Sequence, residues 1–110
     1  MLFESVSWPY VIYKIECNSP DIDLLFVGST DNWKKTLKRH KDNSKREMVI
    51  SKLNVAIRKH GGISNWTFNG LEVGTTCTHA EMKAREKFFC DELKPDLQPS
   101  YNFNIVKSDL

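Results

Sequence analysis

The sequence lacks the features that mark membrane, secreted and metal-stapled proteins. No apolar run approaches the roughly 20 residues of a membrane-spanning helix, and the N-terminus lacks the basic, apolar and small-residue pattern of a signal peptide. The three cysteines are an odd number without a Cys-x-x-Cys pair, so neither a disulfide framework nor a structural zinc site is indicated. We therefore expect an intracellular protein, in the cytoplasm or the nucleus, that does not associate with a membrane.

Charge is nearly balanced in total but is unevenly distributed. Sixteen Lys and Arg residues against fourteen Asp and Glu residues give a net charge of +2, which favours no particular partner. The segment 34–52 is strongly basic, however. It contains Lys34, Lys35, Lys38, Arg39, Lys41, Lys45, Arg46 and Lys52 against Asp42 and Glu47. A segment of this kind is either a solvated helix face or an electrostatic footprint for phosphates.

Length and hydrophobic patterning predict one α+β domain over residues 1–110. A hydrophobic content of 40% is enough to build a core in a chain of this size. Alternating or short apolar runs predict strands at 10–17, 24–27 and 66–73. Helical periodicity and capping residues predict helices at about 31–41, 47–60 and 79–93, giving the order β-β-α-α-β-α. After Pro95 we expect an irregular extended tail with a last short strand or turn near 101–106.

Helical spacing also predicts which side chains face the core. The expected buried stripes are Trp33, Thr36, Leu37 and His40 on the first helix, Ile50, Leu53 and Ala56 or Ile57 on the second, and Met82, Glu86, Phe89, Cys90 and Leu93 on the third. Glu86 lies in the middle of the stripe on the third helix, and a buried carboxylate needs a base, a proton or a cation as its partner. Arg85 and Lys87 should point away from it. The alternative is that Glu86 lies at the edge of the stripe with its oxygens in water.

Two further polar side chains are open to two interpretations. His40 on an inward helix face is either a core histidine with a satisfied hydrogen bond or a catalytic group. Tyr13 on the first strand either packs with its hydroxyl at the rim of the core or takes part in a site.

Five segments, taken in order and spacing, resemble the GIY-YIG endonuclease family over roughly residues 8–104. They are YVIYKIEC, LFVGSTDNWKKTLKRHK, IRKHGG, REKFFCDELKP and YN. In this resemblance 11–13 stand at the GIY element, 26–28 stand at the YIG element, and Glu86 stands at the metal-binding glutamate. The resemblance implies a small three-stranded antiparallel sheet flanked by helices.

The resemblance also implies an activity, a cofactor and a partner. The activity is hydrolysis of a DNA phosphodiester bond with one divalent metal ion, Mg²⁺ or Mn²⁺. It implies that Glu86 is the metal ligand, Tyr13 a site tyrosine, His40 a base or proton relay and Asn102 a polar residue that braces the site. DNA, duplex or branched, would be bound through Lys34, Lys35, Lys38, Lys41, Lys45 and Arg46. A protein partner or a homodimer, and a virus, phage or mobile element as the source, are further expectations.

The sequence departs from the family pattern at several site positions. Thr36 stands where the family has an arginine, Phe26 replaces the YIG tyrosine, Val11 replaces the first glycine, and Met48 stands where some homing-type members have another histidine. Arg39 or Lys35 is the candidate to restore the missing positive charge. Two hypotheses follow: a DNA-binding nuclease with a weakened or rearranged site, or an inactive nuclease fold that binds nucleic acid or protein.

Overall fold

A computed structural model describes residues 10–75 and 78–99 of the chain. The elements are β1 (Tyr10–Cys17), β2 (Leu25–Thr30), α1 (Trp33–Ser44), α2 (Lys52–Lys59), a short 3-10 helix (Ile63–Asn65), β3 (Trp66–Gly74) and α3 (His79–Leu93). This confirms the predicted α+β fold class and the order β-β-α-α-β-α. Within the described ranges, no helix has the length and apolar character needed to cross a membrane.

The three strands form one antiparallel sheet in the order β2-β1-β3, with β1 in the middle. Successive side chains of a strand point to opposite faces of the sheet. Tyr13 and Ile15 therefore share one face and Ile12 lies on the other, and all three are buried. Both faces of β1 are covered, which explains why its sequence is apolar at so many positions.

In the described part of the chain, a hydrophobic core lies on each face of the sheet. The larger core is formed by Tyr13, Ile15, Leu53, Ala56, Ile57, Trp66 and Leu97. The smaller core is formed by Ile12, Val27 and Met82, with Phe89 and Cys90 packed against it. Helix α2 thus covers one face of the sheet and α3 covers the other, so that the two helices lie on opposite sides of β1.

The first helix begins after the Asn32 cap, whose side chain accepts a hydrogen bond from the backbone N–H of Lys35 at 3.1 Å. The predicted inward stripe is buried at Thr36 and His40. Trp33 and Leu37 are only half-buried. The helix continues to Ser44, three residues beyond the predicted end.

The second helix begins later than predicted, after the Ser51 cap, and the prediction that Ile50 is buried was wrong, because its side chain is 73% exposed. The Arg58 guanidinium donates hydrogen bonds to the backbone carbonyls of Arg46 at 2.8 Å and Val49 at 2.7 Å. Those carbonyls are held in a turn, where Val49 N–H bonds Arg46 O at 3.0 Å. The tertiary contact therefore competes with helix extension toward residue 47.

The third helix has the bounds predicted from the sequence. Thr78 and Glu81 form a capping box at its start, and Lys94 adopts a left-handed conformation with φ of 50° at its end. Leu93 was predicted to be buried, and this was wrong because it is 40% exposed. Phe89 and Cys90 are the last residues of α3 that pack against the smaller core, and Leu93 lies one turn beyond them.

The segment after α3 covers the outer edge of β2. Leu97 is buried, and its N–H donates to Leu25 O at 3.0 Å. The Gln98 side chain accepts from Val27 N–H at 2.7 Å and donates to Val27 O at 2.8 Å. These bonds pair backbone groups at the edge of β2, as a neighbouring strand would. The strand or turn predicted near 101–106 lies outside the described residues.

Candidate active site

Tyr13 and His40 form a buried polar pair between β1 and α1. The Tyr13 hydroxyl oxygen lies 2.9 Å from His40 Nε2, and the two residues are 2% and 7% exposed. Gly28 is opposite Tyr13 in the β1–β2 register. A Cβ atom at position 28 would lie 2.5 Å from the Tyr13 hydroxyl oxygen, so the absence of a side chain there gives the phenol its space.

Burial shifts both members of this pair toward their uncharged forms. Burial raises the pKa of Tyr13 to about 12, with Arg39 opposing the shift and Glu86 adding to it. Burial, and then the positive charge of Arg39, lower the pKa of His40 to about 4. At neutral pH the phenol is therefore protonated and the imidazole is neutral. In the tautomer with the proton on Nδ1, His40 Nε2 accepts the hydrogen bond from Tyr13.

A cleft of about 690 Å³ opens beside the pair and brings groups from three elements together. Tyr13 of β1, Arg39 of α1 and Glu86 of α3 all line it. His40 lies behind Tyr13, joined to it by the hydrogen bond. The structure thus brings Tyr13, the neighbouring Arg39 and His40, and Glu86 to one place, although these three parts of the chain are far apart in sequence.

Glu86 is held in the cleft by its neighbours. The Ser29 hydroxyl donates to Glu86 Oε1, and the Lys83 ammonium lies 3.2 Å from the same oxygen. The cationic partner of Glu86 thus comes from α3 itself, because Lys83 is three residues before Glu86 and shares its helix face. Lys87, expected to point away from the stripe, lines the cleft. Arg85 does point away and pairs with Glu72 at 2.6 Å.

The donor set fits one loosely coordinated divalent cation and not a closed metal cage. Among residues 10–75 and 78–99, no group of three or more His, Cys, Asp or Glu side chains converges. Glu86 supplies one carboxylate in an open cleft, and both of the polar contacts described for it use Oε1. Mg²⁺ is commonly bound by one or two carboxylates together with water and substrate phosphates, and Glu86 suits that mode.

The positions that depart from the family pattern take distinct places. Thr36 is 6% exposed, and its hydroxyl lies 2.7 Å from that of Thr30, so the position of the missing arginine is filled by a buried hydroxyl pair. Phe26 lines the cleft, and its ring centre lies 5.8 Å from that of His40. Of the two candidates for the missing charge, Arg39 lines the cleft, whereas Lys35 lies outside its lining.

A second, smaller depression continues from Arg39 along α1. It has a volume of about 260 Å³ and is lined by Lys35, Lys38, Arg39, Asp42, Asn43 and Arg46. Lys38 pairs with Asp42 at 2.8 Å on this surface. The other basic residues predicted to bind DNA, Lys34, Lys41 and Lys45, are exposed. Asn102, the predicted bracing residue, lies outside the described residues.

Ser29 and Gln98 line the cleft but were not predicted from the sequence. Ser29 directly follows the YIG element and pairs with Ile12 in the sheet register, which places it on the face that α3 covers. Strand alternation could have predicted this. Gln98 also lines the cleft, and no pattern in the sequence signals that its amide replaces a strand.

Comparison with known proteins bears on the fold. No family model matches the chain, and a search of curated proteins found no match. Among solved structures, the chain is similar to the catalytic domain of the homing endonuclease I-TevI, a GIY-YIG nuclease. The TM-score is 0.58 at 26% sequence identity, and the match covers 77% of this chain and 88% of that domain. The chain therefore has a GIY-YIG-like nuclease fold, as the order of its sequence segments predicted.

Proposed function

We propose that this domain binds DNA and hydrolyses a phosphodiester bond with the help of one divalent cation, Mg²⁺ or Mn²⁺. The observation that carries the proposal is the common cleft of Tyr13, Arg39 and Glu86, with His40 behind Tyr13. A proton-transfer pair, a cation for a phosphate and a carboxylate for a metal ion are the three components that this hydrolysis needs.

Tyr13 and His40 are the candidate path for the proton of the attacking water. A phenol whose pKa is about 12 is a poor base alone, but it can pass its own proton to His40 Nε2 while it receives one from water. The pKa of His40, about 4, is held down in part by Arg39. A phosphodiester anion bound to Arg39 would offset that positive charge. Substrate binding would thereby make His40 a stronger base at the moment when a base is needed.

Arg39 is the candidate partner of the reacting phosphate. The phosphate gains negative charge as the water attacks, and a guanidinium with five N–H donors can bind two of its oxygens at once. Lys83 and Lys87 also line the cleft and would raise the local concentration of polyanions. Arg39 would thus supply the charge that the family places at the position of Thr36.

Glu86 is the candidate metal ligand. The Ser29 hydroxyl, bonded to Oε1, fixes the orientation of the carboxylate. A divalent cation held by Glu86 would supply positive charge to the phosphate oxygens and would make a nearby water more acidic. Lys83 contacts the same oxygen and would have to move or share it when the cation binds.

An inactive nucleic-acid-binding or protein-binding module is the second candidate function. Two observations favour it: the arginine position is filled by the Thr30–Thr36 hydroxyl pair, and the Lys83 ammonium already neutralises Glu86. A fold of this kind would keep a basic surface for binding and lose the chemistry.

Incubation with DNA in the presence of a divalent metal ion distinguishes the nuclease from the inactive binding module. Branched, nicked and plain duplex DNA are incubated with the protein and Mg²⁺ or Mn²⁺, beside Glu86→Ala and Glu86→Gln variants. The proposal predicts cleavage by the original protein and its loss in both variants. Binding without cleavage at every metal concentration supports the second candidate. Failure to bind any of these DNAs at low salt contradicts DNA as the partner.

A further inference from the structure

The turn between α1 and α2 holds two large apolar side chains in solvent. Met48 is 91% exposed and Ile50 is 73% exposed. Such side chains normally reduce their contact with water by packing on the protein surface. We call residues 46–51 the apolar turn, and nothing in the proposed hydrolysis uses it.

The apolar turn is braced from α2, so it cannot easily fold back. Arg58 donates to the carbonyls of Arg46 and Val49 at 2.8 and 2.7 Å, and Val49 N–H bonds Arg46 O at 3.0 Å. At its far end the Ser51 hydroxyl caps α2 and accepts from the Asn54 side chain at 2.7 Å. These bonds fix the backbone on both sides of the exposed side chains.

The charge around the apolar turn suits a polyanion. Over residues 45–52, Lys45, Arg46 and Lys52 stand against the single acid Glu47, and all four are exposed. Arg46 also lines the depression that continues through Arg39 to the cleft. A basic path therefore leads from the candidate active site to the apolar turn.

From these observations we propose that the apolar turn is a wedge for duplex DNA, with Met48 and Ile50 inserting at a base step while the flanking cations bind phosphates. Proteins that kink DNA insert Met, Ile or similar side chains between base pairs, and basic residues hold the backbone. Unstacking a base step is unfavourable, and a rigid wedge loses little entropy of its own on insertion. The inference rests on the proposed DNA binding and adds that the domain selects deformable or already distorted DNA.

Fluorescence of 2-aminopurine placed along a duplex tests the wedge. The measurement uses the full chain in EDTA, so that no cleavage occurs, and duplexes with the probe at successive steps. Because unstacking releases the quenching of the probe, we expect its fluorescence to rise on binding at one or two adjacent steps. The Met48→Ser/Ile50→Ser variant should bind with the same salt dependence but without this rise.

Two control variants separate the wedge from the cationic contacts and from the brace. Lys45→Gln/Arg46→Gln should make the negative slope of log Kobs against log salt less steep by about 2, as expected for the loss of two phosphate contacts. It should keep the fluorescence rise in the complex that forms. Arg58→Gln should keep the salt slope and reduce the rise, because the wedge loses its brace.

The outcomes of this experiment are distinct. Absence of DNA binding by the unmodified chain contradicts the proposed function itself. Salt-dependent binding with no fluorescence rise at any step, or with an equal rise in the Met48→Ser/Ile50→Ser variant, overturns the wedge and leaves the proposed function standing. Self-association of the unmodified chain that the same variant abolishes, measured by sedimentation velocity, would assign the apolar turn to a protein contact and also overturn the wedge.

Discussion

Acidification should destabilise the fold through His40, and the size of the effect follows from its burial. The pKa of His40 is about 4 in the folded chain against an ordinary value of 6.5. Between these two values the unfolded chain binds a proton that the folded chain does not, so the free energy of unfolding falls as the pH falls. The whole difference amounts to about 3 kcal/mol. This contribution is intact above pH 6.5 and is lost by about pH 4.

Urea denaturation from pH 7.5 to 4, compared with a His40→Gln variant, measures this effect. Glutamine keeps a polar group near Tyr13 and does not titrate. Carboxylates such as Glu72 titrate alike in both proteins, so their contributions cancel in the difference. The stability advantage of the original chain should shrink by about 3 kcal/mol across the window. A difference that stays constant, or that grows on acidification, would refute the buried neutral imidazole and with it the proposed proton path.

Three further substitutions probe the cleft. Gly28→Ala should destabilise the chain by about 1–3 kcal/mol, because its Cβ would lie 2.5 Å from the Tyr13 hydroxyl oxygen. The control Gly70→Ala should not meet a clash, because its Cβ would lie 3.7 Å from the nearest atom. Equal shifts in the melting temperature of the two variants would contradict this prediction. Thr36→Val breaks the buried hydroxyl pair at the end of β2 and should cost about 1 kcal/mol in chemical denaturation, and an unchanged midpoint would argue against that bond. Arg39→Gln should slow single-turnover cleavage by about 100-fold or more, with partial recovery in Arg39→Lys, and a rate equal to that of the unsubstituted protein would exclude Arg39 as the phosphate partner.

Much of the fold could be predicted because local signals agree with the tertiary structure. Strand β1 shows clear alternation, and α3 begins at the Thr78 capping box and ends before Pro95. The start of α2 could not be predicted, because it depends on Arg58 reaching back to two carbonyls of the preceding turn. A helix-period pattern through Ile50 carries no information about such a contact.

In the candidate site, too, local sequence patterns predict some features, and others depend on tertiary contacts. Helical spacing predicts that Glu86 and His40 face inward, and the structure brings both near Tyr13. Helical spacing does not predict which group orients the Glu86 carboxylate, because Ser29 comes from a strand that is distant in sequence. The roles of these residues in catalysis stay predictions.

The central claim is that Tyr13 and Glu86 act in one catalytic site, and a double-mutant cycle of single-turnover DNA cleavage in Mn²⁺ tests it most directly. The rates of the original chain, Tyr13→Phe, Glu86→Gln and the double variant are compared. When two residues act as a unit, the effects of substituting them on the rate are strongly non-additive. The double variant should therefore cleave about as slowly as the slower single variant. Losses that multiply, or single variants that cleave as fast as the original chain, would contradict a shared site.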